Sequence, residues 1–249
     1  GERVLAQLMR FDGNMRADST PAAVYSVFLQ QSMEAIFVDE LGGIGSSAWA
    51  ALVQAGDLSY SAQADHLLAR ADSPFWDDKR TAQVEDKASI LARSLVNTER
   101  WLTKQLGADS KQWRWGQLHT YYWQSGSSQW APYLPASQRA SVQSLRSYLD
   151  RGPYPAGGDQ STLNVSAYRW GESFDTWLIP SMRMIVDFGL NEPLLGVNSS
   201  GQSGNPASRH YADGIDAWRA GRYMTFPFKD ENLSKAYGSK RLLLQPARR

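Results

Sequence analysis

Apolar residues recur every three to four positions through the first 107 residues, the spacing of helices with one buried face. Start and stop signals divide this region, for example the Asp18–Pro21 helix start and the stop at Gly107. The predicted helices lie over residues 1–12, 18–41, 46–56, 61–71 and 83–106. Residues 1–107 are therefore predicted to form a helical part that packs on the rest of a larger protein.

The pattern changes after residue 107. Trp113–His119 holds two Trp and one His, and a further helix is predicted from a Ser137 cap to Leu149. Three later runs are short and apolar on at least one face, which is typical of β-strands. They span residues 162–168, 182–188 and 241–244. Helices followed by strands indicate an α+β fold, and because three short strands are few for an independent sheet, partner strands are expected on another chain.

Composition narrows the classes of partner. Ten Trp and eleven Tyr in 249 residues indicate broad packed surfaces or an apolar cavity lined by aromatic rings. The net charge is +1, and the basic pairs Lys240-Arg241 and Arg248-Arg249 are interpreted as a solvated tail. Neither nucleic acid nor a membrane is therefore expected as a partner. The absence of Cys excludes disulfides, thiolate nucleophiles and Cys-based zinc sites.

Ser203 is the first candidate nucleophile. It lies in Gly201-Gln202-Ser203-Gly204-Asn205, which is close to a nucleophile elbow except that Asn replaces the last Gly. An elbow also needs a tight strand-turn-helix, whereas this run comes well after the nearest predicted strand. It is therefore interpreted as a turn whose Ser and Asn bond local backbone. Gly1 has no side chain to act as an N-terminal nucleophile.

The three His are far apart and lack the i, i+4 spacing of metal ligands. His66 is interpreted as a surface residue, and His119 as a packed core residue that binds a backbone carbonyl. His210 is flanked by Arg209, Tyr211 and Asp213, and an anchor between loop and helix is favoured there over a catalytic role. No catalytic residue, metal site or cofactor is therefore predicted in this chain.

Motifs along the whole chain resemble the C-terminal part of the β chain of penicillin acylases, a family of N-terminal-nucleophile hydrolases. In chain order they are Phe11-Asp12-Gly13 with Met15, Ala17, Asp18 and Ser19, then Phe37–Gly42, Pro74–Asp78, Trp113–His119, Gly157-Gly158-Asp159 with Thr162-Leu163-Asn164, Arg183–Gly189, Gly201–Pro206, Ser208, His210-Tyr211, Asp213, Trp218 and Gly221–Tyr223. The structural-motif residues are predicted to be Arg183, Asp187, Gly201, Gln202, Ser203, Gly204, Asn205, His210 and Tyr211. The strand over 182–188 is expected in the sheet core, and the following loop is expected to anchor the last helix.

The resemblance implies a four-layer αββα sandwich that the strands of residues 108–249 complete. It also implies a precursor that cuts itself, and a Ser nucleophile at the N-terminus of another segment. That enzyme would hydrolyse the acyl amide of β-lactams or N-acyl-homoserine lactones, in the periplasm or outside the cell. This chain is then expected to be structural and inactive alone, with the α chain and the N-terminal part of the β chain as partners. The alternative is a non-catalytic binding module that kept the fold without the nucleophile half.

Overall fold

A computed structural model of the protein describes residues 1–238 and 242–245, apart from the side chains of residues 55–64. The chain divides into two compact units, residues 1–179 (unit 1) and residues 180–249 (unit 2). Helices and strands are both present, which confirms the α+β class. The change of composition at residue 107 does not separate two cores, because both sides of it contribute to the core of unit 1.

Unit 1 begins with helices and continues with alternating helices and short strands. Its helices are α1 (Glu2–Leu8), α2 (Thr20–Phe37), α3 (Ser47–Leu68), α4 (Lys87–Leu106), α5 (Trp115–Leu118), α6 (Gly126–Trp130) and α7 (Ala136–Leu149). Its strands are β1 (Thr120–Trp123), β2 (Arg151–Pro155), β3 (Ala167–Arg169) and β4 (Ser173–Leu178).

Local signals fix the ends of the two central helices. The Ser19 hydroxyl accepts a hydrogen bond from the Ala22 amide at 3.2 Å and caps α2. The Asp86 carboxylate caps α4 through the Ser89 amide at 2.8 Å, and Gly107 ends it at φ +90°. The buried faces of α1, α2 and α4 then share one core, which includes Val4, Val24, Val27, Ile90 and Leu102.

Large aromatic side chains complete the core of unit 1. Trp76, Trp113, Trp115 and Trp170 are fully buried. Trp170 packs on Trp49 with ring centroids 5.7 Å apart. The many Trp in the sequence therefore serve mainly as large apolar packing groups in this unit.

Two antiparallel pairs follow the helices of unit 1. Strand β1 pairs with β2, and β3 pairs with β4. Residues 124–150, which carry α6 and α7, connect β1 to β2. Asp150 links the two ends of this connection, because its carboxylate accepts hydrogen bonds from the Ser125 amide (2.9 Å) and the Tyr122 hydroxyl (3.0 Å).

Unit 2 contains one sheet with the order β5-β6-β7, all antiparallel. These strands are β5 (Met182–Val186), β6 (Leu194–Asn198) and β7 (Met224–Phe226), and the helices of this unit are α8 (Ile215–Arg219) and α9 (Asp230–Tyr237). Ile215 and Trp218 of α8 are buried, and α8 packs against β6. A strand within 182–188 is confirmed, but it ends at Val186 because the Asp187 side chain binds the Gly189 amide in a turn. Its predicted place in the sheet core is wrong, because β5 lies at the edge of the β5-β6-β7 sheet and Met182, Met184 and Val186 are exposed.

The other two predicted strands need correction. Over 162–168, only the last two residues belong to a strand, because the Asp159 carboxylate binds the amides of Ser161 and Thr162 and fixes a turn there. Over 241–244, residues 242–244 have no regular secondary structure, and Arg241 lies outside the described residues. The basic pairs of the predicted tail, 240–241 and 248–249, also lie outside them.

Several helix predictions were also wrong in detail. The helices predicted over 46–56 and 61–71 form the single helix α3, since one Gly at position 56 costs only ~1 kcal/mol in a helix and does not end it. The helix predicted from a Ser137 cap begins two residues earlier, at Ala136 after Pro135, and has no side-chain cap.

Candidate functional site

Three of the sequence motifs meet in unit 1 through backbone hydrogen bonds. The amides of Trp115 and Gly116 donate to the carbonyls of Ser19 (3.0 Å) and Ala17 (2.7 Å). The Gly158 amide donates to the Met15 carbonyl at 2.6 Å. Segments that lie far apart in the sequence therefore form one hydrogen-bonded cluster.

Close backbone approach explains the glycines of these motifs. A Cβ on Gly116 would lie 2.7 Å from the Cβ of Pro155 and 3.0 Å from the Ala17 carbonyl oxygen. Gly158 has φ +85°, and a Cβ there would lie 2.8 Å from the Asn164 carbonyl oxygen. The Gly-Gly-Asp motif thus serves tight packing.

His119 is fully buried, and both of its ring nitrogens have partners. Nδ1 lies 2.5 Å from the Phe174 carbonyl oxygen, and Nε2 lies 2.9 Å from the Ser166 hydroxyl. Because a carbonyl only accepts, Nδ1 carries the proton and Nε2 accepts from Ser166. The ring stacks on Trp115 with centroids 4.6 Å apart, and the Trp115 indole donates to the Gly158 carbonyl at 2.9 Å.

This environment removes His119 from acid–base chemistry near neutral pH. Burial lowers the pKa of His119 from 6.5 to about 4, so the ring is neutral. Its lone pair is used by Ser166, and no part of the side chain reaches solvent. The prediction of a packed His that binds a backbone carbonyl is confirmed. Its Ser166 partner was not predicted, because it lies 47 residues away in sequence.

A second polar cluster in unit 1 surrounds Asp78. Its carboxylate accepts hydrogen bonds from Arg80 Nε at 2.7 Å and from Arg93 Nη2 at 2.8 Å. The bond from Arg80 is the largest cause of a pKa of about 2 for Asp78, so this carboxylate stays ionised. The guanidinium groups of Arg80 and Arg93 occupy the carboxylate oxygens of Asp78. Asp78 therefore links the loop that follows α3 with helix α4, and it is not arranged as a general base.

Unit 2 contains the other candidate, the loop over 201–211. Its two arms pair through backbone bonds, from the Gly201 amide to the Tyr211 carbonyl (3.1 Å) and from the Ser203 amide to the His210 carbonyl (3.0 Å). A Cβ on Gly201 would lie 1.9 Å from the His210 carbonyl oxygen, so only Gly fits. The Gln202 and Gly204 positions lie within this paired loop.

The structure does not join Ser203 and His210 into a catalytic pair. The Ser203 hydroxyl accepts from the Asn205 amide at 3.1 Å, and Asn205 Oδ1 in turn accepts from the Ala207 amide. His210 Nδ1 lies 2.7 Å from an Asp213 carboxylate oxygen, and its Nε2 accepts from Arg209 Nε at 3.0 Å. Since the His210 lone pair is already used, it is not available to take a proton from Ser203.

Arg183 has a structural role that the sequence did not specify. Its guanidinium carbon lies 3.6 Å from the centroid of the Trp218 ring, and its Nη1 donates to the Trp218 carbonyl at 2.7 Å. The Trp218 indole donates to the Pro180 carbonyl at 3.1 Å. Strand β5 and helix α8 are therefore held together by an Arg–Trp stack, for which a spacing of 35 residues gives no local signal.

The described residues contain neither a cluster of metal ligands nor a helix that could span a membrane. Within the described part of the chain, His, Asp and Glu form no group of three that could ligate an ion. His66 is exposed on α3, as predicted. None of the helices among residues 1–238 is long and apolar enough to cross a membrane. The absence of catalytic residues, cofactors and membrane partners stays a prediction.

Known proteins share sequence with most of this chain. The sequence model of the penicillin amidase family matches residues 1–235. The acyl-homoserine lactone acylase QuiP of Pseudomonas aeruginosa is 62% identical over 242 residues, which are 97% of this chain and 29% of that protein. The proteins of the same name from Pseudomonas fluorescens and Pseudomonas putida are 50% and 49% identical, over 97% and 98% of this chain. The chain spans 27% and 28% of their lengths.

Proposed function

Because the chain belongs to the penicillin amidase family, we propose that it is the C-terminal part of an enzyme that hydrolyses the amide bond of N-acyl-homoserine lactones. The observation that carries this proposal is 62% identity, over 97% of the chain, to a protein named acyl-homoserine lactone acylase. A match of this extent covers both units and every motif described above.

The nucleophile is proposed to lie on a segment outside these 249 residues. Two observations support this. His119 and Asp78 hold their hydrogen-bonding atoms in structural pairs, and His210 is bonded to Asp213 and Arg209 rather than to Ser203. Acyl transfer needs a nucleophile, a base that contacts it and donors for the oxyanion. None of the arrangements around His119, Asp78 and His210 brings these together.

The role proposed for this chain is to supply rigid structure to the acylase. Unit 1 contributes a packed helical core, and unit 2 contributes a sheet with a helix on one side. A four-layer αββα sandwich built with the remaining segments of a self-cleaved precursor is part of this proposal. So is an enzyme that acts in the periplasm or outside the cell. On this basis the 249-residue chain alone is inactive.

The test is hydrolysis by the purified full-length protein. The substrates are N-acyl-homoserine lactones with acyl chains from butanoyl to tetradecanoyl, with penicillin G as the second class of amide. Mass spectrometry measures the release of homoserine lactone from the lactones and of phenylacetic acid from penicillin G, with the 249-residue chain alone as the matched control. We expect hydrolysis of at least one acyl-homoserine lactone by the full-length protein and none by the control. Cleavage of penicillin G alone would contradict the proposed substrate, and activity of the control would contradict the proposed place of the nucleophile.

A further inference from the structure

Residues 124–149 form a small helical excursion between strands β1 and β2 of unit 1, which we call the α6–α7 hairpin. Its two helices and the turn between them, Ala131–Tyr133, pack mainly on one another. The structure describes all residues of the hairpin, and none of them belongs to the hydrophobic core of unit 1. The hairpin is tied to unit 1 at its base, where the Asp150 carboxylate binds Tyr122 and Ser125. It therefore stands apart from the core that precedes and follows it in sequence.

Helix α7 carries an apolar stripe that the hairpin leaves largely uncovered. Val142, Leu145, Tyr148 and Leu149 recur at the spacing of one helix face. Every residue of α7 is described, and none of them is buried. Leu145 and Tyr148 are 51% and 47% exposed, although a stripe of this kind normally lies on a core.

Two aromatic side chains beside α7 are still more exposed. Trp130, at the end of α6, is 65% exposed, and Tyr133 is 79% exposed. Their ring centroids are 5.5 Å apart, and the turn that carries Tyr133 packs against α7. Trp and Tyr have a large apolar ring with one polar group, which suits them to the boundary between water and an apolar medium.

The charges in and before the hairpin have one sign. Positions 110–149 contain no acidic residue, and their charged residues are Lys111, Arg114, Arg139 and Arg146. Arg139 and Arg146 are two turns apart on α7 and flank its apolar stripe. The net charge of +1, from which no membrane contact was expected, is an average over the whole chain and hides this uneven distribution.

We propose that the α6–α7 hairpin is the surface through which this protein contacts an anionic phospholipid bilayer. Such contact lies in the plane of the interface and needs no membrane-spanning helix, because apolar side chains enter the headgroup boundary while cationic ones bind the headgroups. The exposed rings and the stripe of α7 supply the apolar part. Arg146 is partly neutralised by Asp150 at 3.3 Å, so the exposed Arg139 is the main cation of the hairpin. The absence of acidic side chains favours a lipid surface of negative charge.

Sedimentation with lipid vesicles tests this contact in the purified full-length protein. Vesicles of phosphatidylglycerol mixed with phosphatidylcholine are compared with vesicles of phosphatidylcholine alone, at low and at high salt. We expect binding to the anionic vesicles to be about tenfold tighter at low salt, and this preference to disappear at high salt. No binding to either kind of vesicle would overturn the proposal, as it would if another protein segment covered the hairpin. Equal binding to both kinds at low salt would also overturn it.

Substitutions in the full-length protein assign the binding to the hairpin. A double variant, Trp130→Ala with Tyr133→Ala, should bind anionic vesicles at least tenfold more weakly, because two exposed rings are lost. Arg139→Gln should weaken binding about fivefold, the effect of one Arg near an anionic surface. Trp177→Ala is the matched control, since Trp177 is 51% exposed on β4, outside the hairpin, and it should bind as wild type does. Wild-type binding by the double variant would overturn the proposal.

Two further measurements separate this contact from other roles of the hairpin. With anionic vesicles, the amides of residues 126–149 should exchange hydrogen more slowly, while those of α4 should not change. Unchanged exchange in the hairpin of sedimented protein would place the contact elsewhere and overturn the proposal. Hydrolysis of a short-chain acyl-homoserine lactone in solution should be the same in wild type and the double variant. Loss of hydrolysis with intact vesicle binding would assign the hairpin to the path of the substrate and would also overturn it.

Discussion

Acidification should destabilise the wild-type enzyme more than a His119→Asn variant. The pKa of His119 is lowered by burial to about 4, against 6.5 for an accessible His. As the pH falls below 6.5, the unfolded chain binds a proton that the folded chain does not, so stability is lost until the pH reaches about 4. At 1.36 kcal/mol for each pKa unit, the loss from this one group is ~3 kcal/mol.

The Asn variant separates this effect from other titrating groups. Its amide nitrogen takes the place of Nδ1 and keeps a donor for the Phe174 carbonyl, but Ser166 loses its acceptor. At neutral pH we therefore expect the variant to be ~1–3 kcal/mol less stable than wild type. Because Asn does not titrate, the two stabilities should converge as the pH approaches 4.

Urea unfolding followed by Trp fluorescence measures the difference at each pH. All ten Trp except Trp218 lie before residue 180, so the signal reports mainly on unit 1. Wild type and variant are compared side by side, and the difference in midpoint is plotted against pH. Curves that stay parallel between pH 6.5 and 4 would refute the argument, because they would mean that His119 is accessible to protons in the folded enzyme.

Further predictions concern the other sites. Ser203→Ala should leave amide hydrolysis by the full-length enzyme largely intact, and loss of the chemical step in a folded Ser203 variant would contradict this. Gly201→Ala should lower the free energy of unfolding by ~2–3 kcal/mol, since a Cβ there meets a carbonyl oxygen. Arg183→Lys should destabilise unit 2 by ~1–2 kcal/mol, measured by faster amide hydrogen exchange in β5 and β6, because an ammonium replaces the flat group stacked on Trp218. Asp78→Asn should remove a contribution to the free energy of unfolding that ionised Asp78 makes. The wild type has this contribution in full above pH 3.8 and loses it as the pH falls toward about 2. Identical acid unfolding of the two proteins would disprove this.

Sequence patterns predicted the helices well where the signal is local. The Ser19 and Asp86 caps and the Gly107 stop act within one turn of the residues they terminate. Each can be recognised from a window of a few residues, since hydrogen bonds from side chain to backbone at these positions depend on local geometry alone. The end of α4 at Leu106 was therefore predicted, whereas its start was placed at residue 83, before the Asp86 cap, and the helix begins at Lys87.

Strands were predicted less well because their stability comes from distant partners. Strand β2 contains a Gly-Pro pair, and β6 contains Gly196, so neither shows the alternation of a half-buried strand. Each forms because a partner strand lies beside it, β1 for β2 and β5 for β6. A pattern read along the chain cannot supply that information.

In the candidate sites too, local contacts were predicted from the sequence and contacts between distant residues were not. The sequence correctly predicted a buried His119 bound to a carbonyl and a Ser203 engaged by local backbone. It did not predict the hydrogen bond from Ser166 to His119, the hydrogen bond from Ser125 to Asp150 or the Arg183–Trp218 stack, because each joins residues 25 or more positions apart. These are contacts between elements, and they depend on the complete fold.

The motifs of unit 1 have a common physical basis, which is close backbone approach. Gly116 and Gly158 stand where any Cβ would overlap a neighbouring backbone or side chain, and their amides bond the segment over 15–17. Met15 and Ala17 contribute carbonyl oxygens to these bonds, and no reactive group is involved. Such positions tolerate little variation because the backbone itself occupies the space, and an enzyme can therefore carry dense sequence motifs far from its nucleophile. On the proposed structural role of this chain, motif density marks where the scaffold is most tightly constrained, and the reacting groups are to be sought on segments outside these residues.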